Sequence, residues 1–148
     1  MNEPMKKLML ILGLLMFNVM VWAGNDKPIA MEKMPEKAQL FVKQHFANAK
    51  VALSKTETDI LNRSYNVIFT NGDKVEFDKR GNWTDVDCQF SQVPVEIIPE
   101  LIRTYVTNTY PDATYKKIEK DGRGYEVKLS NGWELKFDRS FRLVDLDD

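Results

Sequence analysis

Two stretches of this chain carry the same signals in the same order. Met34-Pro35-Glu36 opens the first, and Ile98-Pro99-Glu100 opens the second. Each continues through an amphipathic segment and an aromatic-rich run to an Asn-Gly step (Asn71-Gly72, Asn131-Gly132). A Phe-Asp pair follows (Phe77-Asp78, Phe137-Asp138), and each stretch closes on Asp-x-Asp (Asp85-Val86-Asp87, Asp145-Leu146-Asp147). Internal repetition constrains a fold strongly, because a unit too small to bury its own apolar face can bury it against its twin.

The opening segments have helical period. Met34, Ala38, Phe41, Val42 and His45 fall on one face, and Ile98, Leu101, Ile102, Tyr105 and Val106 make the matching stripe. Pro35 and Pro99 suit the first helical position, and Pro111 stops the second helix. Beyond the helices the period is two. Tyr65, Val67 and Phe69 alternate with Asn66, Ile68 and Thr70; Tyr125, Val127 and Leu129 alternate with Glu126, Lys128 and Ser130. Val75 and Phe77 alternate with Lys74, Glu76 and Asp78, and Trp133, Leu135 and Phe137 with Glu134, Lys136 and Asp138. Strands with one apolar and one polar face belong to a half-buried antiparallel sheet. Asn-Gly reads as a two-residue hairpin turn with positive φ at both positions. Two further strands per copy are expected, over 49–56 and 81–88 in the first and 113–120 and 141–146 in the second. The fold class is α+β: tandem helix-plus-four-strand repeats forming one antiparallel sheet with helices on one face.

Lys6-Lys7 precede an apolar run from Leu8 to Trp22, and Val21-Trp22-Ala23 places small residues where a signal peptidase reads. The layout is that of a secretory signal peptide over 1–23, and the run is short of the roughly 20 residues that span a bilayer. The expected location is periplasmic or secreted, with no stable membrane insertion after cleavage. Met1 and Met5 leave two possible starts. Residues 24–33 read as a flexible leader, and 34–148 as one domain made of two repeats, 34–89 and 98–148. The formal net charge of −1 becomes −2 once Glu3, Lys6 and Lys7 leave with the signal peptide. A near-neutral chain without a basic stripe is not a nucleic-acid binder.

Reactive groups are scarce. Cys88 is the single cysteine and His45 the single histidine. One cysteine allows no internal disulfide, so Cys88 is expected as a small buried apolar residue, with a reactive thiol or an intermolecular bridge as alternatives. His45 is expected at the edge of the core. A Cys88–His45 dyad would need an electropositive setting that Asp87 and Gln89 do not offer. There is no phosphate loop, no metal-spaced His/Cys cluster and no Gly-x-Ser-x-Gly elbow, so catalytic residues, metal ligands and cofactors are expected to be absent. Gly122-Arg123-Gly124 reads as a turn, and the Asp-x-Asp motifs as solvated strand ends that blunt edge pairing. Trp83 and Trp133 read as core.

Taken together, Tyr65-Asn66-Val67, Asn71 to Asp78, Gly81-Asn82-Trp83 and their second-copy counterparts, behind a signal peptide, resemble the PepSY-like proteins. These are exported proteins of Bacteroides-type bacteria, similar in fold to the beta-lactamase inhibitor protein. The resemblance implies a joined antiparallel sheet whose helix-free face grips a partner enzyme. The chain departs from the inhibitor in holding one cysteine rather than paired disulfides. The expected function is that of an exported, non-enzymatic module engaging a protein or peptide of the cell envelope, as an inhibitor of an enzyme such as a peptidase. The alternative is a small-ligand or cation-binding envelope protein. The expected binding surface is the outward sheet face: Asn66, Ile68, Lys74, Glu76, Glu126, Lys128, Glu134 and Lys136.

Overall fold

Every strand of the sheet lies next to its sequence neighbour. The computed structural model describes residues 25–148, so the expected signal peptide over 1–23 and its cleavage point lie outside the described residues. The described elements are β1 (Asp26–Pro28), α1 (Glu36–His45), β2 (Val51–Thr58), β3 (Arg63–Phe69), β4 (Lys74–Asp78), β5 (Trp83–Asp87), α2 (Glu100–Thr109), β6 (Tyr115–Asp121), β7 (Gly124–Leu129), β8 (Glu134–Asp138) and β9 (Leu143–Asp147). The nine strands form one antiparallel sheet in the order β1 to β9.

Period-two patterning fixes which side chains meet. Val67, Val75, Val86, Ile118, Val127 and Leu135 stand opposite one another across six strands, and each is fully buried. Both helices cover this face. The Phe41 ring meets Phe77 edge-on at 5.5 Å, and Tyr105 meets Phe137 in the same manner at 5.7 Å. Such aromatic pairs add roughly 0.5–1.5 kcal/mol beyond their buried area. Ala38, Val42, Ile102 and Val106 seal the helix–sheet interface, whereas Leu101, on the expected apolar stripe, faces solvent at 58 % exposure. Trp83 and Trp133 pack against the core without being sealed in it. Lys120 lies over the Trp83 ring at 4.0 Å and ties β6 to β5.

Two local expectations are corrected. Within the leader expected over 24–33, Asp26–Pro28 are not free, because β1 pairs with β2 through Lys27 opposite Thr56. The Lys55 ammonium holds Asp26 at 2.6 Å, and the Ile29 N–H donates to Ser54 O at 2.9 Å. The Asn-Gly turns are three-residue loops rather than two-residue ones. Gly72 N–H donates to Phe69 O and Phe69 N–H to Asp73 O, with Gly72 alone at positive φ (+94°). That is a type I turn followed by a left-handed residue, and Gly132 repeats it at +97°. Asp73, buried, fixes the turn by accepting from Asn71 Nδ2, Phe90 N–H and Ser91 Oγ.

Candidate functional site

Opposite the helices, the sheet carries two rows of mostly polar side chains. In the first row the register runs Lys55, Asn66, Glu76, Asp85, Glu119, Glu126, Lys136, Asp145. The second runs Leu53, Ile68, Lys74, Asp87, Lys117, Lys128, Glu134, Asp147. The eight residues expected on the outward face therefore lie in two adjacent rows of one surface. Asn66 is the exception in exposure. At 2 % it is buried between the longer Lys55 and Glu76, and its Nδ2 has no hydrogen-bond partner among the described residues. It supports the face rather than presenting itself on it. Lys128 and Glu134 form an ion pair at 3.3 Å.

The middle of both rows escaped sequence reasoning. Asp85 and Asp87 were expected at a strand end; instead β5 pairs with β6, which sets them in the centre of the sheet beside Lys117 and Glu119. The signal was present in Lys117-Ile118-Glu119, where two charges flank an apolar residue in strand period. The outcome is four carboxyl groups on four neighbouring strands: Glu76, Asp85, Glu119 and Glu126. They line a groove of about 540 Å³ whose far wall includes Lys136 and Val144.

Asp85 and Glu119 stand directly opposite, and like charges so placed repel. Burial first, then the hydrogen bond and charge of Glu119, push the Asp85 carboxyl up to about 7, against the pull of Lys117. The same hydrogen bond, aided by Lys117, holds Glu119 below its ordinary value. Asp85 Oδ1 is buried with no hydrogen-bond partner among the described residues, a setting that disfavours the charged carboxylate. Burial works against the Lys117 ammonium. Glu119 at 2.6 Å and Asp85 at 3.3 Å nevertheless hold it charged, above its usual range.

Nucleophilic chemistry finds no support in the arrangement. The Cys88 thiol is buried, and burial together with the charge of Asp73 pushes it up to about 12. His45 Nδ1 lies 3.1 Å from Glu96, an acid on the segment leading to α2. Among the described residues, no three His, Cys, Asp or Glu side chains are grouped to hold a metal ion.

The PepSY-like family, described as candidate beta-lactamase-inhibitor-like proteins, matches residues 63–145. The chain belongs to the PepSY-like family. Among solved structures it is similar to a periplasmic protein of Bacteroides thetaiotaomicron described as a candidate for calcium regulation. That likeness has 61 % identity and a TM-score of 0.82, over 83 % of this chain and 97 % of the other. A periplasmic protein of Bacteroides vulgatus from the DUF2874 family matches at 56 % identity and TM-score 0.83, over 85 % of this chain and 99 % of its own. A second periplasmic protein of that organism matches at 34 % identity and TM-score 0.78, over 83 % and 99 %. No curated protein matches. The PepSY-like chain shares the periplasmic compartment of these neighbours. No helix among its described residues is long and apolar enough to cross a membrane.

Proposed function

We propose that this PepSY-like protein is a non-catalytic binding module whose helix-free sheet face engages a protein or peptide in the cell envelope, as an inhibitor of an enzyme such as a peptidase. The observation that carries this reading is the face itself. Eight strands present ordered charged rows around a groove of about 540 Å³, with the helices confined to the other side. Charge arranged in this way steers and selects a partner more than it adds raw affinity. The reading also takes the sheet as two copies of a helix-plus-four-strand unit, with residues 1–23 removed on export. Matching bulges support the duplication: Glu76/Phe77 against Lys136/Phe137, and Val51/Leu53 against Tyr115/Lys117.

The test is capture from periplasmic extract with the purified protein and with face variants Glu76→Lys, Glu126→Lys, Glu134→Lys and Lys136→Glu. A partner captured by the native chain and lost by the reversals, with melting temperatures unchanged, supports the reading. Partners retained by all four variants refute it. A second reading, cation binding, rests on the calcium description of one neighbour and not on a grouped set of ligands among the described residues. Calcium that binds the native state must raise the melting midpoint, and an unmoved midpoint removes this reading.

A further inference from the structure

The fully buried row on the core face ends abruptly. Val67 through Leu135 are each 0 % exposed, but the next residue in register, Leu146 on β9, is 42 % exposed and Leu143 beside it 37 %. β9 pairs with β8 on one side, and no described strand lies on the other.

The two margins of the sheet are finished differently. β1 is three residues long and ends in Pro28, which has no N–H to offer. Short strands and proline are the usual devices that close an edge. β9 has five residues and no proline, and its inward side chains are the apolar Leu143 and Leu146 rather than charges.

β5 indicates what such a strand accepts. Like β9, it follows a strand ending Phe-Asp, is bulged at the same step and carries Asp-x-Asp. Its outer edge is taken by β6, with Lys117 opposite Asp87, Ile118 opposite Val86 and Glu119 opposite Asp85. The Cys88 N–H donates across to Lys116 O at 2.8 Å, and Lys117 Nζ reaches Asp85 at 3.3 Å. On β9 the corresponding carboxylates fold back onto their own backbone. Asp145 accepts the Leu146 N–H at 2.9 Å and Asp147 the Asp148 N–H at 3.0 Å. Asp148 N–H holds the position of Cys88 N–H, so these are amides of the open edge.

We propose that the β9 edge is a strand-acceptor site for an extended segment of a partner protein in which lysine or arginine adjoins an apolar residue, as in β6. The two self-caps make the edge selective. A neutral or acidic strand would break both amide–carboxylate bonds and leave Asp147 unpaired or facing like charge, whereas Asp145 keeps Lys136 at 3.8 Å. A basic strand replaces them with ladder hydrogen bonds and ion pairs while covering Leu146, which is the logic of recognition by strand addition. A second copy is a poor occupant. β9 against β9 opposes Asp145 and Asp147 to like charges, and β1 closes the other margin.

The probe is a fluorescent synthetic peptide with the sequence Tyr115–Asp121, added to the whole protein. Binding is read by anisotropy, and its place by amide hydrogen exchange. The proposal expects protection of the Leu146 and Asp148 amides. It also expects binding weaker by about tenfold or more when the peptide lysines at 116 and 117 are replaced by glutamate. An Asp147→Lys protein should reverse that preference. Leu146→Pro, which removes an edge donor and no ladder donor, should abolish binding while the rest of the sheet keeps its exchange pattern. Four results overturn the proposal: no protection at β9, binding blind to peptide charge, unaltered binding by Leu146→Pro, or a concentration-dependent dimer that protects the same amides without peptide. Because these residues lie on the edge, loss of this binding leaves the proposed role of the sheet face standing, and the converse also holds.

Discussion

Replacing Asp85 by asparagine should stabilise the protein at neutral to alkaline pH and leave it unchanged below about pH 4. Each tenfold change in proton affinity is worth about 1.4 kcal/mol. A carboxyl raised from 3.8 to about 7 therefore sets a ceiling of about 4 kcal/mol. Two effects lower it. The Asp85 side chain keeps 16 % exposure, which admits solvent screening, and the shared hydrogen bond moves Glu119 the opposite way. A net of about 1–2 kcal/mol remains. The sign follows from linkage. The folded carboxyl holds its proton more tightly than the unfolded one, so its contribution is fully present below about pH 4, falls steadily as pH rises from there to about 7, and is gone above that. Asparagine keeps a donor toward Glu119 at every pH, so the slope should vanish. Carboxyls depressed by their own hydrogen bonds, such as those of Asp78 and Asp138, titrate below this window, and the raised Lys55 and Lys117 above it. Urea unfolding at about pH 4 and about pH 8, on either side of the window, reads the effect. With a slope of about 2 kcal/mol per molar, the wild-type midpoint should fall by about 0.5–1 M between the two, and the variant's should not. Equal wild-type midpoints at both pH values, or a variant less stable than wild type at pH 8, would refute the reasoning.

Further outcomes follow from the packing. Phe77→Ala should cost about 3–5 kcal/mol by urea unfolding, because Phe77 is fully buried and meets Phe41 edge-on. Asp73→Ala should cost about 2–3 kcal/mol and speed amide exchange at Phe90, whose N–H loses its acceptor along with the Ser91 hydroxyl. Phe141 sits at φ +61°, where Gly81 stands in the first half, and its ring stacks on Tyr125 at 5.3 Å. Once the ring is gone only strain separates the substitutions, so Phe141→Gly should be more stable than Phe141→Ala by about 1 kcal/mol. N-terminal sequencing of the protein recovered from the periplasm should begin at Gly24.

Local patterning reads well from this sequence because it depends on neighbours a few residues away. The alternation of Tyr65-Val67-Phe69 and of Tyr125-Val127-Leu129 assigns faces correctly, and Pro35 and Pro99 immediately precede the helices. What escaped was set by distant partners. Asp85 and Asp87 look like a strand end until β6 pairs beside them, and that junction turns solvated charges into a partly buried cluster. The segment Asp26–Pro28 has no strand signal of its own; Lys55 and Ser54 on β2 recruit it. Asn66 points outward as its period requires, yet longer neighbours bury it, since burial is a property of the surroundings. The Asn-Gly steps fit two turn types, and the residue before each, Thr70 or Ser130, enters the loop and selects the longer one.

A photo-crosslinking side chain placed singly at Glu134 or Lys136 on the sheet face, or at Lys43 or Gln44 on the solvent side of α1, would test the central claim most directly in living cells. All four positions are at least partly open to solvent. The account predicts one common partner captured from both face positions and from neither helix position. Capture from α1 alone would contradict it.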